Sequence, residues 1–96
     1  MKAVTVRYVV KPEAAEENAE LVQAVYAELA ELQPEGFRYS TVRLDDGVTF
    51  IHTAIVEKGD APLPGLASFK RFQADLAERC AEQPVVTPGD VVGRYP

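Results

Sequence analysis

The chain has no tryptophan, a single histidine, a single methionine and a single cysteine in 96 residues. One cysteine excludes an intramolecular disulfide and any multi-thiolate metal site, so Cys80 is expected as a free thiol. No acid of the Glu-rich segment has a His or Cys at metal-ligand spacing, and neither a metal nor a cofactor is expected. Basic residues are also scarce, ten against fifteen acids for a net charge of −5, with no Lys/Arg cluster to track phosphates, which argues against nucleic-acid binding. No apolar run approaches the length of a membrane span, and "MKAVTVRYVV" has neither the apolar core nor the cleavage site of a secretory signal. Cytoplasmic location and no membrane partner are the expectation. No repeat or low-complexity tract is present.

What remains is ordinary globular composition, 47% hydrophobic and 26% charged, enough for one domain spanning 1–96 with a thin core. Lys2 to Val10 alternates with period two and predicts a strand. Pro12 and the acids Glu13, Glu16 and Glu17 suit a helix start, and Asn18, Leu21, Val22, Val25, Leu29 and Leu32 recur at helical spacing until Pro34 and Gly36. "GFRYSTVRL" alternates again, "DDG" reads as a hairpin turn, and "VTFIHTAIV" is the returning strand. After a loop, Leu66, Phe69, Phe72, Leu76 and Cys80 step by three or four along a second helix, with Cys80 as an inert hydrophobe on its stripe. Pro84 and "TPGD" at Thr87 to Asp90 predict a turn, and Val91 to Tyr95 the last strand.

The order is βαββαβ, the ferredoxin-like α+β arrangement with an antiparallel four-stranded sheet and both helices on one face. That leaves the other face bare. A strand wetted on one side alternates apolar with polar, yet "VTFIHTAIV" places Phe50, Ala54 and Val56 on one side and Ile51 and Ile55 on the other. Two helices cannot cover both faces, so a two-fold homodimer through the open sheet is expected, carried by Thr5, Val42, Ile51, Thr53 and Ile55. Arg7 and Arg38 fall on that face, where each would meet an acid of the partner chain.

"YVVKPEAAEENAELVQAVYAEL", "RLDDGVTFIHTA" and "ASFKRFQADLAERC", in this order, resemble the antibiotic-biosynthesis-monooxygenase-like proteins of the dimeric α+β barrel superfamily over nearly the whole chain. The resemblance implies a homodimer with a small-molecule cavity between each sheet and its own helices. It includes cofactor-independent oxygenases of aromatic polyketides, which bind a phenolic substrate and stabilise the anion that gives an electron to oxygen. A haem-degrading member would offer an Asn on the first strand, a Trp and a helical His. Here Asn18 is helical, His52 is in a strand and Trp is absent, which argues against that chemistry.

If Asp46-Gly47 is a two-residue turn, Thr41 lies opposite His52 and Tyr39 opposite Ala54, and Phe37, Tyr39, Thr41, Phe50, His52 and Ala54 share the helix-side face. A three-residue turn would instead send His52 to the dimer interface. In the first register Tyr8 joins the same layer, and His52 is the acid/base candidate, with Tyr8, Tyr39 and Thr41 as substrate-binding candidates. The alternative for His52 is a half-buried ring satisfied by a Tyr or a backbone carbonyl. Two functions follow: a small-molecule monooxygenase or related enzyme acting on an aromatic or enolisable substrate, or a non-catalytic binding or accessory dimer whose cavity is filled. An open cavity at His52 favours the first.

Overall fold

The computed structural model describes residues 1–96. Alternation along Lys2–Val10 forms β1, with Tyr8 and Val10 buried and Thr5 and Arg7 exposed. Pro12 opens a single 3-10 turn leading into α1, Ala15–Leu32, whose first turn carries Glu16 and Glu17 where the helix dipole favours negative charge. The helix buries Ala15, Asn18, Val22 and Val25 and ends where Gln33 turns left-handed, φ 46°, its N–H donating to the Leu29 carbonyl. Gly36, φ 73°, starts the return, since a Cβ there would sit 3.0 Å from that of Lys58.

β2 is Phe37–Arg43 and β3 is Thr49–Val56. Their connection is longer than a two-residue turn. Leu44 N–H bonds the Thr49 carbonyl at 2.9 Å, and the four residues between form a loop in which the Asp46 carboxylate accepts from the N–H groups of Val48 and Thr49 at 3.0 and 2.9 Å. Two extra residues leave the parity unchanged, so Thr41 still faces His52 and Tyr39 still faces Ala54.

The second helical region differs from the sequence expectation. It is α2, Ala67–Ala74, then a break at Asp75 and a short α3, Leu76–Arg79. Cys80 is not on a helical stripe: it is the first residue of β4, Cys80–Asp90, buried and paired with Val10. "TPGD" is likewise strand rather than turn, with Thr87 opposite Thr5 and Gly89 opposite Ala3, and Val91 to Tyr95 has no regular structure. The cause is the free edge of β1, which any extended segment can pair with. Pro84 and Pro88 are tolerated because β4 is itself an edge strand, and the register shifts between Arg7 and Val10 absorb the irregularity.

The sheet order is β2-β3-β1-β4, every neighbouring pair antiparallel, with the helices on one face. Tyr8, Val10, Val25, Phe50 and Phe72 centre the core between the layers. On the open face Ile51, Thr53 and Ile55 are half-buried and Val42 is 53% exposed. Arg38 and Arg7 lie near acids of their own chain, Glu57 at 3.1 Å and Glu82 at 3.9 Å. No helix is long and apolar enough to cross a membrane.

Candidate functional site

A cavity of about 340 Å³ lies between the sheet and α2, within the size range of small-molecule sites. Val4 and Val6 of β1 form its floor, Phe69 and Phe72 of α2 with Leu76 its roof, and Val86 of the β4 edge its rim. No charged side chain lines it. Its polar groups are Gln73 and the cluster of Tyr8, Tyr39 and His52.

Adjacent strands deliver that cluster. Val6 pairs with His52 and Thr41 pairs with His52 from the other side, so one imidazole is flanked on the helix face by residues of β1 and β2. Tyr8 OH lies 2.7 Å from His52 Nε2; Tyr39 OH lies 2.7 Å and Thr41 Oγ1 3.0 Å from Nδ1. The four residues named from the sequence therefore meet at one ring. Tyr8, Tyr39 and His52 border the cavity, whereas Thr41 stands behind the ring, bonded to Tyr26 OH at 2.7 Å, and borders a shallower recess between α1 and β2. Tyr26 of α1 stacks on Tyr39 with ring centroids 5.2 Å apart. Tyr8 stacks in turn on Phe50 and on His52.

Two further members were not singled out from the sequence. Asn18 of α1, wholly buried, donates from Nδ2 to Tyr8 OH at 3.0 Å. Arg79, at the end of α3 and 5% exposed, donates from Nε to Asn18 Oδ1 at 3.1 Å and from Nη2 to the Phe72 carbonyl at 2.7 Å, with its guanidinium over the Phe72 ring. The available signal was a polar residue on each apolar stripe: Asn18 among Val22 and Val25, and Arg79 three residues beyond Leu76.

Burial sets the protonation states. It depresses the His52 pKa from 6.5 to about 4, so the ring is neutral at physiological pH. Burial also pushes the phenols of Tyr8 and Tyr39 well above the ordinary tyrosine range, and raises that of Tyr26. Every buried side-chain polar atom has a partner. No group of three or more His, Cys, Asp or Glu side chains is placed to hold a metal ion. The groups at the wall of the apolar cavity, Tyr8, Tyr39 and His52, are thus neutral donors and acceptors, suited to orienting one ligand oxygen.

No family model and no curated protein matches the chain by sequence. Solved structures do match. Rv0793 from Mycobacterium tuberculosis aligns with a TM-score of 0.76 at 17% identity, over 99% of this chain and 98% of its own. A candidate antibiotic biosynthesis monooxygenase from Nitrosomonas europaea reaches 0.80 at 15% identity, over 97% of this chain and 100% of its own. A mutant of SnoaB, a cofactor-independent oxygenase from Streptomyces nogalater, reaches 0.70 at 17% identity, over 99% and 96%. At such identities the likeness is one of architecture, and this chain has the ferredoxin-like α+β fold of the antibiotic-biosynthesis-monooxygenase-like proteins over essentially its full length.

Proposed function

We propose that the protein is a cofactor-independent monooxygenase of an aromatic or enolisable small molecule, bound in the cavity between sheet and α2. The observation that carries this reading is the neutral His52 ring held between two phenols at the wall of an uncharged 340 Å³ cavity. A cavity free of charge suits a fused-ring ligand, and phenols beside an imidazole suit the one oxygen whose charge rises when the ligand loses a proton. His52 then acts as acid/base through the phenols, and Tyr8 and Tyr39 bind the substrate. The fold shared with SnoaB supports the reading without specifying the substrate.

The chemistry balances without a cofactor. The ligand anion gives one electron to O2, the radical pair joins to form a C–O bond, and the protonated hydroperoxide loses water by breaking its O–O bond and the remaining C–H bond. A CH2 group and O2 become C=O and H2O. Anthrone is a suitable probe because its CH2 is enolisable and its product is anthraquinone. The test is oxygen uptake above the spontaneous rate, with one atom of 18O2 in the quinone. No acceleration by the wild type over an equal amount of His52→Phe would reject the proposal.

A second reading, a small-molecule-binding or accessory protein, is favoured by one observation: both nitrogens of His52 already have partners, as a structural histidine would. Saturable anthrone binding with no oxygen uptake would select it. We also propose a homodimer through the open sheet face, supported by the half-buried Ile51 and Ile55 that no helix of the chain covers.

A further inference from the structure

Six polar side chains join in one line across the fold, Arg79, Asn18, Tyr8, His52, Thr41 and Tyr26, with Tyr39 branching at the imidazole. The two ends differ. Tyr26 and Thr41 each carry a hydroxyl able to donate or accept, so they impose no direction. Arg79 carries only donors and does impose one. Its Nε–H requires an acceptor in Asn18, which turns Oδ1 toward the guanidinium and Nδ2 toward Tyr8. The Tyr8 oxygen therefore accepts from Asn18, and its own hydrogen has one partner in reach, Nε2 of His52 at 2.7 Å. Nε2 must be the bare nitrogen, and a neutral ring then carries its proton on Nδ1.

Nδ1, which carries that proton, lies 2.7 Å from Tyr39 OH and 3.0 Å from Thr41 Oγ1. A protonated Nδ1 has no lone pair, so the Tyr39 hydroxyl cannot donate to the ring and its hydrogen is available to the cavity that Tyr39 lines. We infer that Arg79 and Asn18 together hold His52 as the Nδ1–H tautomer, so that Tyr39 presents a hydrogen-bond donor and the cavity selects a ligand with an accepting oxygen, a carbonyl or a phenolate. The ligand half of this rests on the reading of the cavity as a small-molecule site, and the tautomer half does not. Arg79 and Asn18 are positioning residues, since neither lines the cavity.

The placement of Arg79 makes this more than a packing arrangement. A guanidinium buried without a carboxylate is costly, and here only an amide oxygen, one carbonyl and the Phe72 ring compensate it. A carboxylate partner would neutralise the charge but is unnecessary for direction. What the retained cation supplies is a donor that cannot reverse, at the head of a chain in which every other link can adapt.

The lone histidine makes the test direct, because nitrogen-15 NMR of the whole labelled protein holds one imidazole. The expected spectrum has a protonated Nδ1 and a bare Nε2. Arg79→Lys, still a pure donor, keeps it; Arg79→Met releases the Asn18 amide and gives a mixture of tautomers. Asn18→Asp reverses it, because an acceptor then faces Tyr8, Tyr8 donates to the carboxylate, and Nε2 must carry the proton. A wild-type ring protonated on Nε2, or an unchanged spectrum in both Arg79→Met and Asn18→Asp, would overturn the relay. For the ligand half, 1-tetralone has an accepting carbonyl and tetralin has none. Wild type is expected to bind 1-tetralone about tenfold more tightly, the worth of one net hydrogen bond, and Tyr39→Phe to erase the difference. Equal affinities in wild type would overturn the donor assignment. Failure to bind either compound would reject the cavity as a ligand site, leaving the tautomer to the NMR result.

Discussion

Tyr8 and His52 share a 2.7 Å hydrogen bond although 44 residues separate them, and the bond closes the inner layer of the sheet between β1 and β3. It makes the only histidine a structural partner and a cavity wall at once. Removing the ring should therefore be felt in both roles, and their separation is measurable.

The first expectation is a stability loss. His52→Ala removes a ring that is 4% exposed and leaves Tyr8 without its acceptor, costing about 1–3 kcal/mol. Chemical denaturation beside wild type checks this. A change within about 0.5 kcal/mol would mean that water replaces the ring and that its packing contributes little.

The second concerns pH. The His52 pKa is 6.5 in the unfolded chain and about 4 when folded. Between these values the unfolded chain binds a proton that the folded one does not, so stability rises with pH across the window. The contribution is full above pH 6.5 and is lost as pH falls toward 4, up to about 3 kcal/mol. Glu28, Asp46 and Glu57, whose hydrogen bonds hold their pKa values below the ordinary carboxylate range, act in the same direction but at lower pH. Unfolding measured from pH 5 to 6.5 should slope in wild type and be nearly flat in His52→Phe.

A third expectation separates cavity from scaffold. Ala54 borders the cavity on β3, and Ala54→Leu projects three more carbons into open space. Anthrone binding should fall at least about tenfold, with a stability change under about 1.5 kcal/mol because the added volume meets a void rather than a packed core. Undiminished binding, read by fluorescence titration, would place the ligand elsewhere.

The open sheet face carries a fourth. Ile51→Asp sets a carboxylate among Thr53, Ile55 and Val42, where an apolar contact would have to desolvate it. Sedimentation equilibrium should show a dimer in wild type and a monomer in the variant at micromolar concentration. A monomeric wild type, or a fully dimeric variant, refutes association through this surface.

A fifth tests the hairpin. The Asp46 carboxylate accepts two backbone N–H groups and the Thr49 hydroxyl, so Asp46→Ala should cost about 1–2 kcal/mol while leaving ligand binding intact. Its proper control is Asp45→Ala, on an exposed neighbour in the same loop.

Much of this architecture is legible in local pattern. Period-two alternation in Lys2–Val10, Phe37–Arg43 and Thr49–Val56, and helical spacing through Ala15–Leu32, depend on neighbours a few residues away, and such signals survive in a single sequence. The face of His52 was legible only on condition of an even loop: two residues or four set the same parity and bring Thr41 to His52, whereas three would have turned the ring to the open face. The last strand was not. Cys80 to Asp90 contains two prolines and a glycine, which locally signal a turn, and becomes a strand because β1 has an unfilled edge beside it.

The sequence by itself thus determined the βαββαβ order and which residues of each strand share a face, because period is a property of the covalent chain, while the even length of the β2–β3 loop decided that the His52 face meets the helices. Only the tertiary structure decided what the imidazole touches. Asn18 and Arg79 lie 61 residues apart on different helices, and no periodicity relates them. They meet because packing both helices on one sheet face forces two buried polar groups to satisfy each other, and through that contact the fold sets the direction of every hydrogen bond from Arg79 to His52.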